Sequence, residues 1–203
     1  MPSSNQSDQR LNRCLLSTTY SGPIQYYLKL LEYPSILLEY YEYYEKQTYR
    51  NRCCIYGANG KLNLIIPVRH TGKRVIVKDV KISYDSDWQK LHWRSIQTSY
   101  RSSPYFEYYE DDFVPFFTKK YELLIEFNEA LQLRILGILG TKIKSSHTTS
   151  YQEHYADLPA GQAGIKDYRT TIHPKIGTYP SLIANPYQQV FEDKHGFIPN
   201  LSI

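Results

Sequence analysis

The chain has 203 residues, which is enough for one domain with a sizeable hydrophobic core. Its hydrophobic content is 41%, its charged content is 22%, and no apolar run approaches the roughly 20 residues of a membrane span, which excludes a disordered or membrane-spanning class. The net charge is +4, but acidic residues are interspersed almost throughout, so the single-sign stripe of a dedicated nucleic-acid binder is missing.

The chain begins with a polar segment that lacks the apolar region of a secretory signal. We therefore predict a flexible tail over residues 1–12 and a single domain over residues 13–203. Three cysteines, two of them adjacent, make a poor disulfide framework, which predicts a reducing, cytoplasmic location. Tyrosine accounts for 21 residues; its ring suits contact with sugars and bases, although most tyrosines are expected simply to fill the core.

The first elements form a strand–helix–strand pattern. The apolar run at 14–20 predicts a buried strand, and the segment 22–33 predicts a helix with Pro23 in its first turn. A second apolar run at 35–41 predicts another strand. The helix leaves room for a crossover, so the three elements predict a parallel βαβ unit.

A β-meander follows. We predict one strand over 49–56, a turn at Gly57-Ala58-Asn59-Gly60, and a return strand over 61–68 in which apolar residues alternate. A further strand is predicted over 74–83. A change of phase near its middle predicts a bulge or bend.

The period then becomes helical. Ser86 and Gln89 fit a capping box at the start of a helix. Four residues of that helix recur at a spacing of four and form one predicted stripe: Trp88, His92, Ile96 and Tyr100. The segment 103–117 is predicted to be an aromatic connector or a short helix interrupted by Pro115. The segment 119–140 predicts the clearest helix, with Gly140 near its end, and 141–146 predicts a strand.

Beyond Ser146 the chain is rich in Ser, Thr, Gly and Pro and has no sustained period, and 158–164 reads as a small-residue insertion. The predicted class is therefore α/β: a mixed sheet with a β-meander or hairpin after an N-terminal βαβ unit, packed by helices, with a loop-rich C-terminal third.

Common catalytic motifs are missing from the sequence. It contains no phosphate-binding loop, dinucleotide fingerprint, nucleophile elbow or H-E-x-x-H pair. Asp85 and Asp87 fit a divalent-metal motif of sugar-nucleotide transferases, but they fit the start of a helix better. The remaining histidines lack ligand spacing, so we predict no metal and no cofactor.

Two side chains are candidates for catalysis. His92 lies on an apolar stripe, where a histidine is more often a core residue but can also serve as a general base. Cys53 would be a nucleophile for acyl transfer if its face of the strand met His92. The same face carries Ile55, which favours an inert, buried cysteine.

An ordered set of segments resembles the WbqC-like proteins, in their Bacteroidetes-type form: KQTYRNRCCI, GANG, LIIPV, SPYFEYY and GFIPNLSI. The resemblance runs from about Leu15 to Ile203. It implies a role in bacterial surface-polysaccharide or O-antigen biosynthesis, with a glycine-like aminoacyl group, or an acyl group, transferred to a sugar. Relatives continue past this end with a further apolar segment, so the resemblance also implies that a final helix is missing or not needed here.

The resemblance implies one catalytic residue, His92, and six substrate-binding residues: Lys46, Tyr49, Asn51, Arg52, Tyr100 and Asn128. Lys46 and Arg52 would neutralise a phosphate or carboxylate, the tyrosines would contact a sugar, and Asn51 would orient it. For each of them a purely structural role is the alternative, and for Asn128 that role is to tie a helix to a neighbouring backbone.

Three functions follow from the sequence. The first is a cytoplasmic group transferase that acts on a sugar or sugar nucleotide. The second is a non-catalytic protein that binds a glycan or nucleotide-sugar in a tyrosine-rich cleft. The third, least favoured, is a nucleic-acid binder. The sequence leaves the donor, the acceptor and the oligomeric state open.

Overall fold

A computed structural model describes residues 13–69, 72–155, 164–176 and 186–202. The predicted tail at 1–12, residues 158–163 of the predicted insertion, and the chain end at Ile203 lie outside the described residues. Within the described residues, no helix is both long enough and apolar enough to cross a bilayer.

The predicted βαβ unit is confirmed. Strand β1 (Arg13–Ser17) pairs in parallel with β2 (Ser35–Glu39), and helix α1 (Ile24–Glu32) connects them. Pro23 immediately precedes α1 with φ −68°, the value that its ring fixes and that suits a helix start. Both strands are almost entirely buried because their apolar runs have a layer of side chains on each face.

Two short strands complete the parallel sheet, in the order β5-β2-β1-β6. Strand β5 (Ser145–His147) lies beside β2, and β6 (Ile165–Asp167) lies beside β1. β6 belongs to the third of the chain that the sequence predicted as loops. Its three residues carry too little pattern to be recognised without the neighbouring strand.

The predicted hairpin is confirmed, and it forms a sheet of its own. Strands β3 (Arg52–Gly57) and β4 (Gly60–Ile65) pair in antiparallel register across the turn at Ala58-Asn59. Gly60 has φ +98°, a conformation that glycine adopts without strain. β3 begins later than predicted, so Tyr49 and Asn51 precede the strand.

The strand predicted over 74–83 is wrong. Val77–Asp79 form a short 3-10 turn, at the place where the change of phase predicted a bend. The backbone on either side makes isolated bridges, Tyr43 to Ile76, Val68 to Ile82 and Lys81 to Leu123. The N–H groups of Val77 and Lys78 donate to carbonyls of the chain after β2, which leaves no regular ladder.

The helices are α2 (Trp88–Tyr100), α3 (Phe106–Thr118), α4 (Leu124–Ile138) and a single turn α5 (Glu192–His195). The predicted capping box at the start of α2 is wrong: Asp87 is the N-cap residue and makes no side-chain cap bond. The Gln89 amide instead donates to the Phe116 and Lys119 carbonyls and ties α2 to the end of α3.

The predicted interruption at Pro115 is also wrong, because α3 continues through it to Thr118. Proline removes one helical hydrogen bond. The next two residues, Phe116 and Phe117, are buried, and Phe117 stacks on Trp93 of α2 with ring centroids 5.3 Å apart. Burial of these rings offsets the missing hydrogen bond.

The main core lies between one face of the parallel sheet, the hairpin and α1 to α4. Phe127 of α4 is at its centre and makes edge-to-face contacts with Trp88, Tyr121 and Phe116. Alternation in β1 and β2 sends Leu15 and Leu37 to the opposite face, where they form a small second cluster with Tyr155.

Candidate functional site

A cavity of about 500 Å³ opens between α2, α3, α4 and β3. Its walls come from residues at helical spacing: Phe106, Tyr109, Glu110, Phe113 and Phe117 of α3, and Trp93, Ile96 and Tyr100 of α2. The apolar faces of α2 and α3 therefore border the cavity. A space of this size is typical of small-molecule sites.

The remaining walls come from distant parts of the chain. Cys53 and Ile55 of β3 face the cavity together because alternate residues of a strand point the same way. Tyr20, just after β1, and Leu131 of α4 line the inner side. Residues 187–190, which precede α5, add a further wall.

The described lining contains no lysine, arginine or histidine, and Glu110 is its one carboxylate. The Glu110 side chain accepts a hydrogen bond from the Gln97 amide at 2.8 Å. The Ser103 hydroxyl is buried and has no hydrogen-bond partner within the described part of the chain. The cavity is therefore an aromatic pocket with little charge, and the buried Ser103 hydroxyl in its lining has no described partner.

Tyr20 connects the cavity wall to His92. The Tyr20 hydroxyl lies 3.0 Å from His92 Nδ1, and the two rings stack at 5.7 Å. His92 is 3% exposed, and burial lowers its pKa from 6.5 to about 4, against a smaller opposing effect of the Ile65 carbonyl. The imidazole is therefore neutral at pH 7.

The Tyr20 hydroxyl also interacts with the Cys53 thiol, so one phenol links the two candidate catalytic residues, Cys53 and His92. Burial raises the pKa of Cys53 far above the usual value for a thiol. An activated cysteine needs the opposite, a lowered pKa beside a cationic partner. The geometry favours a structural role for Cys53.

Of the seven predicted site residues, only Tyr100 lines the cavity. Its hydroxyl accepts a hydrogen bond from the Tyr56 N–H at 3.0 Å. Tyr49 is buried, and its carbonyl accepts from the Tyr20 N–H at 2.8 Å. His92 reaches the cavity only through Tyr20.

The two predicted asparagines are buried and bond to backbone carbonyls. The Asn51 amide donates to the Ile66 carbonyl, and the Asn128 amide donates to the Arg50 carbonyl, both at 2.8 Å. The Oδ1 atom of each has no partner among the described residues. Asn128 thus ties α4 to the segment before β3, as its structural alternative predicted.

The two predicted cations lie away from the cavity. Lys46 is exposed, and Arg52 is partly buried on the face of β3 opposite Cys53. The Arg52 Nε atom has no hydrogen-bond partner within the described residues. A substrate role for these residues therefore stays a prediction.

Sequence reasoning missed a network of buried charges at the carboxyl end of the parallel strands. Glu39, at the end of β2, is fully buried and pairs with Arg169 Nη1 at 2.9 Å. Its other oxygen accepts a hydrogen bond from the Thr148 hydroxyl at 2.7 Å. Asp167, at the end of β6, holds the same guanidinium. The sequence feature that could have indicated this network is Glu39, an acidic residue directly after an apolar run.

A second buried ion pair lies beside the first. Arg50 Nε and Nη2 donate to the two carboxylate oxygens of Glu42 at 2.8 and 2.6 Å, and Nη2 also donates to the Ser17 hydroxyl at 3.0 Å. Bidentate pairing of this kind fixes both side chains. We name these two ion pairs, with Ser17, Thr148 and Asp167, the carboxyl-edge network.

No group of three or more His, Cys, Asp or Glu side chains in the described ranges is arranged to hold a metal ion. The parallel sheet, the separate hairpin and the aromatic cavity define an α/β protein with a site suited to a small molecule.

The chain belongs to the WbqC-like protein family, whose model matches residues 20–159. That range is more than half of the chain, and it contains all seven predicted site residues and helices α2, α3 and α4 of the cavity wall. A search of the curated proteins and a search of the solved structures gave no significant match.

Proposed function

We propose that this protein is a cytoplasmic enzyme of bacterial surface-polysaccharide assembly that transfers an acyl or aminoacyl group to a sugar. Membership of the WbqC-like family supports a role in surface-polysaccharide assembly. The observation that carries the proposal is the cavity of about 500 Å³, since it is large enough for the transferred group and is bordered by hydroxyl-bearing residues.

In this proposal His92 acts through Tyr20, because His92 does not itself line the cavity. The acceptor hydroxyl gives its proton to the Tyr20 oxygen while Tyr20 gives its own to His92 Nδ1. The acceptor oxygen forms a bond to the donor carbonyl carbon, and the bond to the leaving group breaks. The proton returns by the same path to the leaving group, so the enzyme ends unchanged.

The other predicted residues take distinct places in the proposal. Tyr100 contacts the bound group directly, since it lines the cavity. Arg52 and Lys46 hold an anionic part of a substrate outside the cavity, on the opposite face of β3. Tyr49, Asn51 and Asn128 keep the backbone around Tyr20 and β3 in position.

The test is incubation of the purified protein with sugar nucleotides and a panel of acyl and aminoacyl donors, followed by mass spectrometry of the sugar. We expect a mass gain that matches the donor group. Tyr20→Phe should slow turnover by about 10²-fold, the usual range for loss of acid–base catalysis. Tyr108→Phe is the matched control, since Tyr108 is 77% exposed on α3 and does not line the cavity.

A second function, binding without catalysis, is favoured by one observation. Burial lowers the pKa of His92 to about 4, which makes it a weak base, and the neutral Cys53 thiol is not activated. If ligands bind, and every donor and sugar is recovered unchanged, the protein is a binding module and the transfer proposal is wrong.

A further inference from the structure

We infer that the aromatic cavity binds the acyl group of the donor, a hydrocarbon body with one carbonyl, and leaves every phosphate or nucleotide outside. This inference rests on the proposed function and narrows it, because it selects an acyl rather than an aminoacyl donor and separates the donor group from the anionic part of either substrate.

Among the described residues, the cavity lining carries almost no charge. The described lining carries no lysine, arginine or histidine, and its one carboxylate would repel an anion. A phosphate or carboxylate inside the cavity would lose its hydration without gaining a cationic partner, which is costly. The cavity is therefore built for an uncharged group.

The hydroxyl inventory gives the second step. Three tyrosine hydroxyls of the lining are already bonded: Tyr20 to His92, Tyr56 to the Phe191 and Gly196 carbonyls, and Tyr100 to the Tyr56 N–H. The Gln189 amide is bonded to both backbone groups of Ile198. A sugar ring with several hydroxyls would leave most of them without partners against aromatic carbon. The cavity therefore does not suit a whole sugar ring, and in the proposed transfer only the reacting hydroxyl of the acceptor reaches Tyr20.

Ser103 gives the third step. Ser103 is one of the residues that line the cavity, and its hydroxyl is buried and has no partner in the described part of the chain. A ligand with one acceptor and a large apolar remainder satisfies this donor and covers the rings of Trp93, Phe113 and Phe117. A neutral acyl group has that composition: its carbonyl accepts from Ser103, and its hydrocarbon chain contacts the rings.

The chain offers an internal reporter for the test. It contains two tryptophans: Trp93 lines the cavity and Trp88 lies in the core. In a Trp88→Phe protein, we would titrate neutral acyl thioesters of N-acetylcysteamine of increasing chain length and follow Trp93 fluorescence. Affinity should rise roughly fourfold per added methylene until the cavity is full and then fall.

Matched ligands test the charge argument. The free carboxylate with the same number of carbons should bind at least about tenfold more weakly, because the cavity has no cation to pair with it. A sugar nucleotide should leave the Trp93 signal unchanged. Equal affinity for the thioester and the carboxylate, or no dependence on chain length, would overturn the inference.

Matched variants, with thioester binding measured by calorimetry, test whether the acyl group binds in the cavity. Ile138 lines the cavity and Leu139, the next residue, does not, although it is 48% exposed. Ile138→Phe should weaken thioester binding about tenfold or more by filling space, and Leu139→Phe should not change it. Ser103→Ala should cost about two- to tenfold. Equal effects of both Phe variants would show that the ligand binds elsewhere.

The acyl-binding inference and the transferase proposal can fail separately. If aminoacyl groups are transferred at an unchanged rate by Ile138→Phe, the acyl inference is wrong and the transferase proposal stands. If acyl thioesters bind as described and no donor is consumed, the inference stands and the transferase proposal is wrong.

Discussion

At the carboxyl end of the parallel sheet, every nitrogen of the buried Arg169 guanidinium donates a hydrogen bond, and both oxygens of Glu39 accept one. In the aromatic cavity, a buried serine hydroxyl has no partner in the described residues, and the walls are mostly carbon. The first region satisfies its polar atoms from within the chain, and the second leaves the Ser103 hydroxyl without a described partner.

This difference bears on where an α/β protein places its site. In open parallel sheets, ligands usually bind just beyond the carboxyl ends of the strands. Here the protein's own ion pairs occupy that place, and the open space lies among the helices beside the hairpin. The fold class alone would therefore not point to the aromatic cavity.

Breaking the carboxyl-edge network should have the largest effect. Arg169→Met leaves Glu39 buried without its partner, and we expect a loss of about 3–5 kcal/mol in the free energy of unfolding. Urea unfolding measures it. Arg134→Met is the control, since its pair with Asp112 is exposed and should be worth less than about 1 kcal/mol. Similar losses for both variants would contradict the comparison.

Ring deletions compare the packed core with the cavity wall. Phe127 is fully buried among other rings, so Phe127→Ala should cost about 3–5 kcal/mol. Phe113 already faces open space, so Phe113→Ala should cost less than about 2 kcal/mol, because less packing is lost. Thermal or urea unfolding measures both, and an equal cost would mean that the cavity is filled in solution.

His92 should make stability depend on pH. Burial lowers its folded pKa to about 4, below the ordinary 6.5, so between these values the unfolded chain binds a proton that the folded chain does not. This stability is fully present above pH 6.5 and is lost as pH falls to about 4, by about 3 kcal/mol in total. Subtracting the curve of His92→Gln isolates the effect; parallel curves would show that His92 titrates normally.

Single hydroxyl deletions should have the smallest effects and opposite outcomes. Thr148→Val removes a hydrogen bond to the buried Glu39 carboxylate and should cost about 1.5–3 kcal/mol. Ser103→Ala removes a hydroxyl without a described partner, so stability should stay within about 0.5 kcal/mol or rise. A clear loss for Ser103→Ala would show that the hydroxyl is bonded in the free protein.

The parts of the fold that depend on short-range pattern were predictable. The βαβ unit, the hairpin turn at Ala58-Asn59 and helix α4 follow from apolar period, Pro23 and glycine. The errors arose where distant contacts decided. Residues 74–83 do not form the predicted strand because their backbone bonds to the chain after β2. Helix α3 continues past Pro115 because Phe116 and Phe117 are buried.

The candidate site was only partly predictable. The sequence placed Trp88 and His92 on one stripe of α2, and both are buried, but the stripe could not show that Tyr20 connects His92 to a cavity. Tyr100 and Cys53 do face that cavity. Cys53 and Ile55 were correctly expected on one face of a strand, since alternation is a local property.

The sequence by itself determined the class of the chain, its main local elements and its resemblance to the WbqC-like family, because these depend on residue type and period within a few turns. Only the tertiary structure paired Glu39 with Arg169, which are 130 residues apart, and brought α2, α3, α4 and β3 around one space. Ion pairs and cavities depend on distances between remote segments, and no local pattern encodes those distances.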